Sequence, residues 1–289
     1  MANRSIPPAT IYDPRPCFLG EGPLWHPERQ QLFWFDIVEH KLLSRVGDET
    51  FEWAFDEYVS AAGWIDYDRL FMASETGLWT FNINSGQRDL VASLEADNPI
   101  TRSNDGRADP LGGFWIGTMG KSAELAAGAI YRFYKGELRT LFTGITISNA
   151  ICFAPDGAAA YYCCTTTQKI MKTALDSDGW PVGEPSIFVD LSAEGINPDG
   201  AVTDSMGYLW NAQWGLGRVA RYRPDGTFDM AVSVGGIHSS CPAFGGADFT
   251  ELFITTAQEG IDTPDTCQVV VYCAKTDVAG QAESRVLLD

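Results

Sequence analysis

One pattern recurs along the chain and restricts its fold more than any other feature. A polar residue precedes a short apolar strand, a turn rich in Gly and Asp follows, and a second apolar strand completes the unit. The clearest copy runs Asn197-Pro198-Asp199-Gly200-Ala201-Val202-Thr203-Asp204-Ser205-Met206-Gly207-Tyr208-Leu209-Trp210. It reads as a turn carrying Asp199, a strand over 201–203, a turn over 204–207 and a strand from Tyr208. Gly and Asp supply the backbone angles that tight turns demand. Matching copies lead with Glu21, Ser60, Asn104, Asn149, Asp199 and Cys241, at successive spacings of 39, 44, 45, 50 and 42 residues. A period of roughly 40–50 residues built from short strands is the signature of β-propeller blades. Six copies predict an all-β, six-bladed propeller, with four-stranded antiparallel blades around a central channel.

Later strands fit the same frame. Ala129-Ile130-Tyr131-Arg132-Phe133 and Arg218-Val219-Ala220-Arg221-Tyr222 alternate apolar and polar residues as half-buried strands do. Asn84-Ser85-Gly86 and Pro224-Asp225-Gly226 read as turns into outer strands. Helical spacing is absent apart from a turn over 122–127. The unbroken repeat predicts one domain over 1–289. A ring of blades must close, and the segment 9–12 is expected to pair with 284–288, which removes an exposed edge.

Composition narrows the function. Acidic residues outnumber basic ones 38 to 20, a net charge of −18. That excludes a nucleic-acid partner, because a phosphate backbone calls for a basic footprint. The opening residues Met1 to Pro8 lack the apolar run of a signal peptide. No stretch approaches a transmembrane span. A soluble, cytoplasmic protein without a membrane partner is expected. Seven cysteines, with no paired metal spacing, argue against a disulfide framework and a zinc ribbon. Cys152 and Cys163 read as buried strand residues. The adjacent Cys163 and Cys164 should point to opposite faces of their strand.

In a propeller the six lead residues converge at one end of the channel. Glu21, Asn104, Asn149 and Asp199 are oxygen donors of the kind a hard divalent cation takes. Two carboxylates near one axis repel unless protonated or neutralised. A divalent cation held by Glu21, Asn149 and Asp199 resolves that conflict. Oxygen ligands alone favour Ca2+, Mg2+ or Mn2+ over Zn2+. Arg102, two residues before Asn104, can donate a forked pair of hydrogen bonds to a carboxylate or polyol. His26, His40 and His238 share no metal-ligand spacing. A Gly-x-Ser-x-Gly elbow is absent, and so is a Gly-x-Gly-x-x-Gly motif.

Five ordered motifs carry a resemblance to a known family. They are Gly20-Glu21-Gly22-Pro23, Arg102-Ser103-Asn104-Asp105-Gly106 with Gly117-Thr118-Met119, Ser148-Asn149, Pro198-Asp199-Gly200, and Ser240-Cys241-Pro242-Ala243-Phe244-Gly245-Gly246. Together they resemble the senescence marker protein/gluconolactonase/regucalcin family of six-bladed propeller lactonases, from about residue 17 to about 256. The resemblance implies a single divalent metal, calcium or zinc, on Glu21, Asn149 and Asp199. It implies substrate contacts from Arg102 and Asn104, and an acid/base role for Asp199. The implied reaction is metal-dependent hydrolysis of a sugar-acid lactone. A phosphotriesterase-like metal hydrolase and a non-enzymatic calcium-binding or interaction propeller are the alternatives. The chain departs from the family after Gly-Thr-Met, where Gly120-Lys121-Ser122 and then Glu124 stand. It departs again at Cys163-Cys164-Thr165-Thr166, in place of the usual Asp-Ser. Trp214 is expected to add an aromatic wall to the mouth, and His238 is a further residue near the channel.

Overall fold

Strands in this chain are buried on both faces near the centre and exposed at the rim, and their sequences follow that gradient. The computed structural model describes residues 6–288, so Met1 to Ser5, part of the opening read for a leader, lie outside the described residues. Gln31–Asp36, written QLFWFD, is buried throughout. Its alternate side chains enter different cores. Leu32 and Trp34 pack with Phe253 and Val271, whereas Phe33 and Phe35 pack with Leu70, Met72 and Phe81. Glu49–Ala54, two strands further out, is mostly exposed and carries Glu49, Thr50 and Glu52. Cys163 and Cys164 also divide between two cores, as period-2 geometry requires.

The strands form antiparallel sheets in consecutive groups of four. Separate four-stranded sheets hold Gly20–His26 to Glu49–Ala54, Val59–Asp66 to Arg88–Ser93, Thr101–Ala108 to Glu137–Ile145, and Ser148–Phe153 to Pro181–Asp190. An eight-stranded sheet supplies two further groups, joined only by the pairing of Trp214 with His238. We number these units one to six in order of their first strands, with Asn197–Thr203 opening unit five and His238–Gly245 opening unit six. Each opening strand touches the opening strands of the two neighbouring units, and unit six touches unit one, so the contacts run in a closed cycle.

Two expectations are corrected. The N-terminal strand, Thr10–Asp13, pairs with Val271–Lys275 and completes unit six; it does not pair with 284–288. That leaves the C-terminal residues free to cross the base of the molecule. Trp64 Nε1 donates to Glu283 O at 2.7 Å, Val286 N to Trp64 O at 2.8 Å, and Leu287 N to Gly112 O at 2.8 Å. The second correction concerns Asp199. It lies inside the strand Asn197–Thr203, not in a turn ahead of a strand over 201–203.

The C-terminal segment brings Glu283 against Arg107, and both are buried. Arg107 Nη2 also reaches Ala201 O and Pro242 O, at 3.4 Å each. Removing one partner leaves a buried charge uncompensated, at a cost of about 3–5 kcal/mol. Glu283→Ala is therefore expected to lower denaturant stability by that amount. A loss below roughly 1 kcal/mol in urea unfolding would show that Arg107 finds compensation elsewhere.

Candidate active site

The lead residues occupy the same place in each opening strand, and at that place the strand is irregular. Pairing with the second strand is interrupted between Glu21 and Leu24, Ser103 and Gly106, Asn149 and Cys152, Pro198 and Ala201, and Ser239 and Pro242. A bulge turns the strand and re-aims its side chains. Gly22 shows what this requires. Its φ is +51°, and a Cβ there would stand 2.3 Å from Ser60 O, so only glycine fits. Ala150 takes the same left-handed geometry at the bulge beside Asn149, with φ +58°.

Glu21, Arg102, Asn104, Asn149 and Asp199 all line one cavity of about 390 Å³. Leu19, Met119, Ile147, Thr165, Trp214 and Glu259 complete much of its wall. The five expected residues thus meet, although they come from units one, three, four and five. Ser60 and Cys241, the other two lead residues, do not line it. Ser60 Oγ instead donates to Ser103 Oγ at 2.8 Å, and Cys241 fills the space beside Gly200.

A hydrogen-bonded chain crosses the cavity wall. Arg102 Nη1 donates to Asn104 Oδ1 at 2.7 Å. Asn104 Nδ2 donates to Ser148 O at 2.8 Å and to Asn149 Oδ1 at 3.2 Å. Asn149 Nδ2 donates to Thr165 Oγ1 at 2.9 Å, and Thr165 Oγ1 donates to Pro198 O at 2.8 Å. This network fixes both amides, so Asn149 keeps its oxygen on the Asn104 side. Thr165 opens a 3-10 turn over Thr165–Thr167, which sequence periodicity does not reveal. The departure from the family pattern at Thr165 is the signal that marks it.

The carboxylates are held under electrostatic pressure. Burial, then the nearby charge of Asp105, pushes Glu21 up to about 8, although Gly22 N–H and Arg102 act in the opposite sense. Glu21 Oε2 accepts Gly22 N–H at 2.8 Å. Burial, then Glu21 and Asp105, raises Asp199 well above the ordinary carboxylate range. Asp105 itself rises to about 6, chiefly by burial, and its Oδ2 accepts Ile151 N–H at 2.7 Å. That bond braces the bulge at Ala150 and so sets the aim of Asn149. Nothing in the spacing of Asn104-Asp105-Gly106 marks Asp105, whose contact with the neighbouring unit appears only in the fold.

No group of three or more His, Cys, Asp and Glu side chains that could hold a metal occurs among the described residues. The residues that could hold one are two carboxylates and an amide oxygen. Their chemistry fits a hard divalent cation: two buried acids that repel each other gain most from a doubly charged partner.

Other residues singled out in the sequence divide. Trp214 lines the cavity. His238 stacks on its ring at 4.2 Å between centroids and does not line the cavity. Lys121 is exposed, pairs with Glu75 and lies off the wall. Glu124 turns back on its own loop and accepts Ser122 N–H at 3.0 Å. All seven cysteines are free. No helix of the described residues is long and apolar enough to cross a membrane.

A family model described as SMP-30/Gluconolactonase/LRE-like region matches residues 19–258. A protein of Rhizobium meliloti (strain 1021) named putative sugar lactone lactonase is 40% identical over 248 residues, covering 84% of each chain. The 6-deoxy-6-sulfogluconolactonase of Pseudomonas putida is 29% identical over 277 residues, covering 93% of this chain and 95% of its own. A crystal structure described as a calcium-binding protein, regucalcin, from Agrobacterium tumefaciens str. C58 matches with a TM-score of 0.95 at 36% identity. It covers 99% of this chain and 100% of its own.

Proposed function

The chain belongs to the SMP-30/gluconolactonase/LRE-like family, and on that premise we propose that it is a lactonase, a six-bladed propeller that hydrolyses a sugar-acid lactone. The observation that carries the reading is the meeting of Glu21, Asn149, Asp199, Arg102 and Asn104 on one cavity wall. The closed cycle of opening strands supports six blades in one domain. Unpaired cysteines are compatible with a reducing, cytoplasmic setting.

Glu21, Asn149 and Asp199 would hold one divalent cation, Ca2+ or Zn2+ with Mg2+ or Mn2+ as further candidates. When bound, it would polarise the lactone carbonyl and offset the charge that develops on its oxygen. Asp199 takes the proton of the attacking water, and the same carboxyl returns it to the ring oxygen as the C–O bond opens. Arg102 and Asn104 orient the hydroxyls of the sugar. Trp214 and Met119 give the cavity apolar walls that keep stray water from the reacting carbon.

A panel of aldono-, aldaro- and urono-lactones, followed with a pH indicator at fixed added CaCl2 or ZnCl2, tests the reading. Organophosphate triesters run alongside. Turnover confined to lactones is expected. Turnover confined to phosphotriesters would assign the cavity to a different hydrolase. A protein that binds Ca2+ yet leaves every lactone intact would be a non-enzymatic calcium binder, the reading that the calcium-binding relative favours.

A further inference from the structure

Glu259 takes no part in the reaction above, yet it stands on the cavity wall. It lies in the loop after Glu251–Ala257, and its side chain is exposed. No hydrogen bond or ion pair engages its carboxylate among the described residues. Arg102 lines the same cavity and is itself buried. Its Nη1 is committed to Ser103 O at 2.9 Å and Asn104 Oδ1 at 2.7 Å. Its Nε and Nη2 bond no described residue. Of the surrounding charges, that of Glu259 acts most strongly on this guanidinium, ahead of Glu21.

The charge balance of the wall follows. Glu21 and Asp199 together offset a divalent cation. Arg102 would then stand alone as a fixed positive charge, a ready receptor for an anionic group on the tail of the substrate. Glu259 removes that excess. With its charge offset, the guanidinium still donates hydrogen bonds to hydroxyls but no longer attracts an anion strongly. An anionic tail would also meet the Glu259 carboxylate directly, and that repulsion is selective against it.

We propose that Glu259 is a specificity-determining residue, which offsets the charge of Arg102 and restricts the cavity to lactones with an uncharged polyol tail. Lactones carrying a carboxylate, a sulfonate or a phosphate on the tail are disfavoured. The proposal rests on the lactonase reading and names the substrate class within it.

The test compares D-galactono-1,4-lactone with D-galactaro-1,4-lactone, which share a ring and differ by a terminal CH2OH against a carboxylate. Wild-type protein and Glu259→Gln are assayed with the same added divalent cation at low ionic strength. One unit charge a few ångströms from a partly hydrated site changes an anion's affinity by about tenfold. Wild type is expected to favour the neutral lactone, and Glu259→Gln to shrink that preference in kcat/KM by about tenfold. The change should reside in KM for the anionic substrate and fade in 0.5–1 M NaCl, on the order of full screening. Galactarate should likewise inhibit the variant at about tenfold lower concentration than the wild type. A merely structural role would move both substrates together and would not respond to salt. Wild type active on the neutral lactone, with an unchanged preference in Glu259→Gln, overturns the proposal alone. Wild type inert to both lactones overturns the lactonase reading and the proposal with it.

Discussion

Asp199→Asn is expected to lower kcat/KM on a sugar lactone by about 10²- to 10⁴-fold, the range a positioned acid/base supplies, while making the metal-free protein harder to melt. Both effects have one cause. Asp199 is buried beside Glu21, and burial and that neighbour together disfavour its charge. An asparagine has nearly the same shape, can still offer an oxygen to a cation, and cannot accept the proton of water. On the proposed mechanism the substitution therefore removes the base while relieving a repulsion in the folded state. Sites that hold like charges in place commonly trade stability for activity in this way. Melting curves in chelator, set beside initial rates with added cation, test the pair of effects. An Asp199→Asn variant within threefold of the wild-type rate would assign the proton transfer to another group. One that melts below the wild type in chelator would show that the two acids are not in conflict.

The second large effect concerns pH and the cation together. Glu21 is raised from 4.5 to about 8 in the folded chain. A raised carboxyl binds its proton more tightly folded than unfolded. Its contribution is therefore fully present below its ordinary value and is lost as pH rises from about 4.5 towards 8. Other acids also titrate in part of this range, so the comparison is with Glu21→Gln. In chelator, the variant should gain Tm over the wild type as pH rises from 5 to 8. A saturating divalent cation should stabilise the wild type most at the upper end, where both ligands are ionised. At a hundredfold excess over Kd the gain is about 2.7 kcal/mol, a Tm rise of roughly 5 °C for a chain of this size. A Tm difference independent of pH, or a cation shift of equal size at pH 5 and pH 8, would remove Glu21 from the site.

Much of the fold and of the cavity wall is legible in the sequence. The lead residues recur at near-constant spacing because each opens an equivalent strand, so the gathering of Glu21, Asn104, Asn149 and Asp199 followed from the repeat. What escaped was local irregularity. The bulges break the two-residue alternation, so Asp199 read as a turn residue although it lies within Asn197–Thr203. The ring closure is not legible in the sequence, because both 9–12 and 284–288 carry strand-like residues. The true partner, Val271–Lys275, is set off from Glu251–Ala257 by a long loop that hides it from the period. That same loop carries Glu259, whose place on the wall depends on a loop path that no periodicity encodes. Thr165 escaped for a similar reason, since it acts from a single 3-10 turn.

The C-terminal strap has a consequence for traffic. Gln281, Glu283 and Val286 lie against Ala108, Phe153 and Thr203, at the far ends of the opening strands from the cavity. A strap across those strand ends would close that side to substrate and leave the cavity mouth as the way in. On the lactonase reading, a ring-opened acid would then leave by the mouth through which the next lactone enters. Hydrolysis of a lactone creates a new negative charge on the acid, and on the role proposed for it Glu259, a carboxylate on the cavity wall, would help to expel that product.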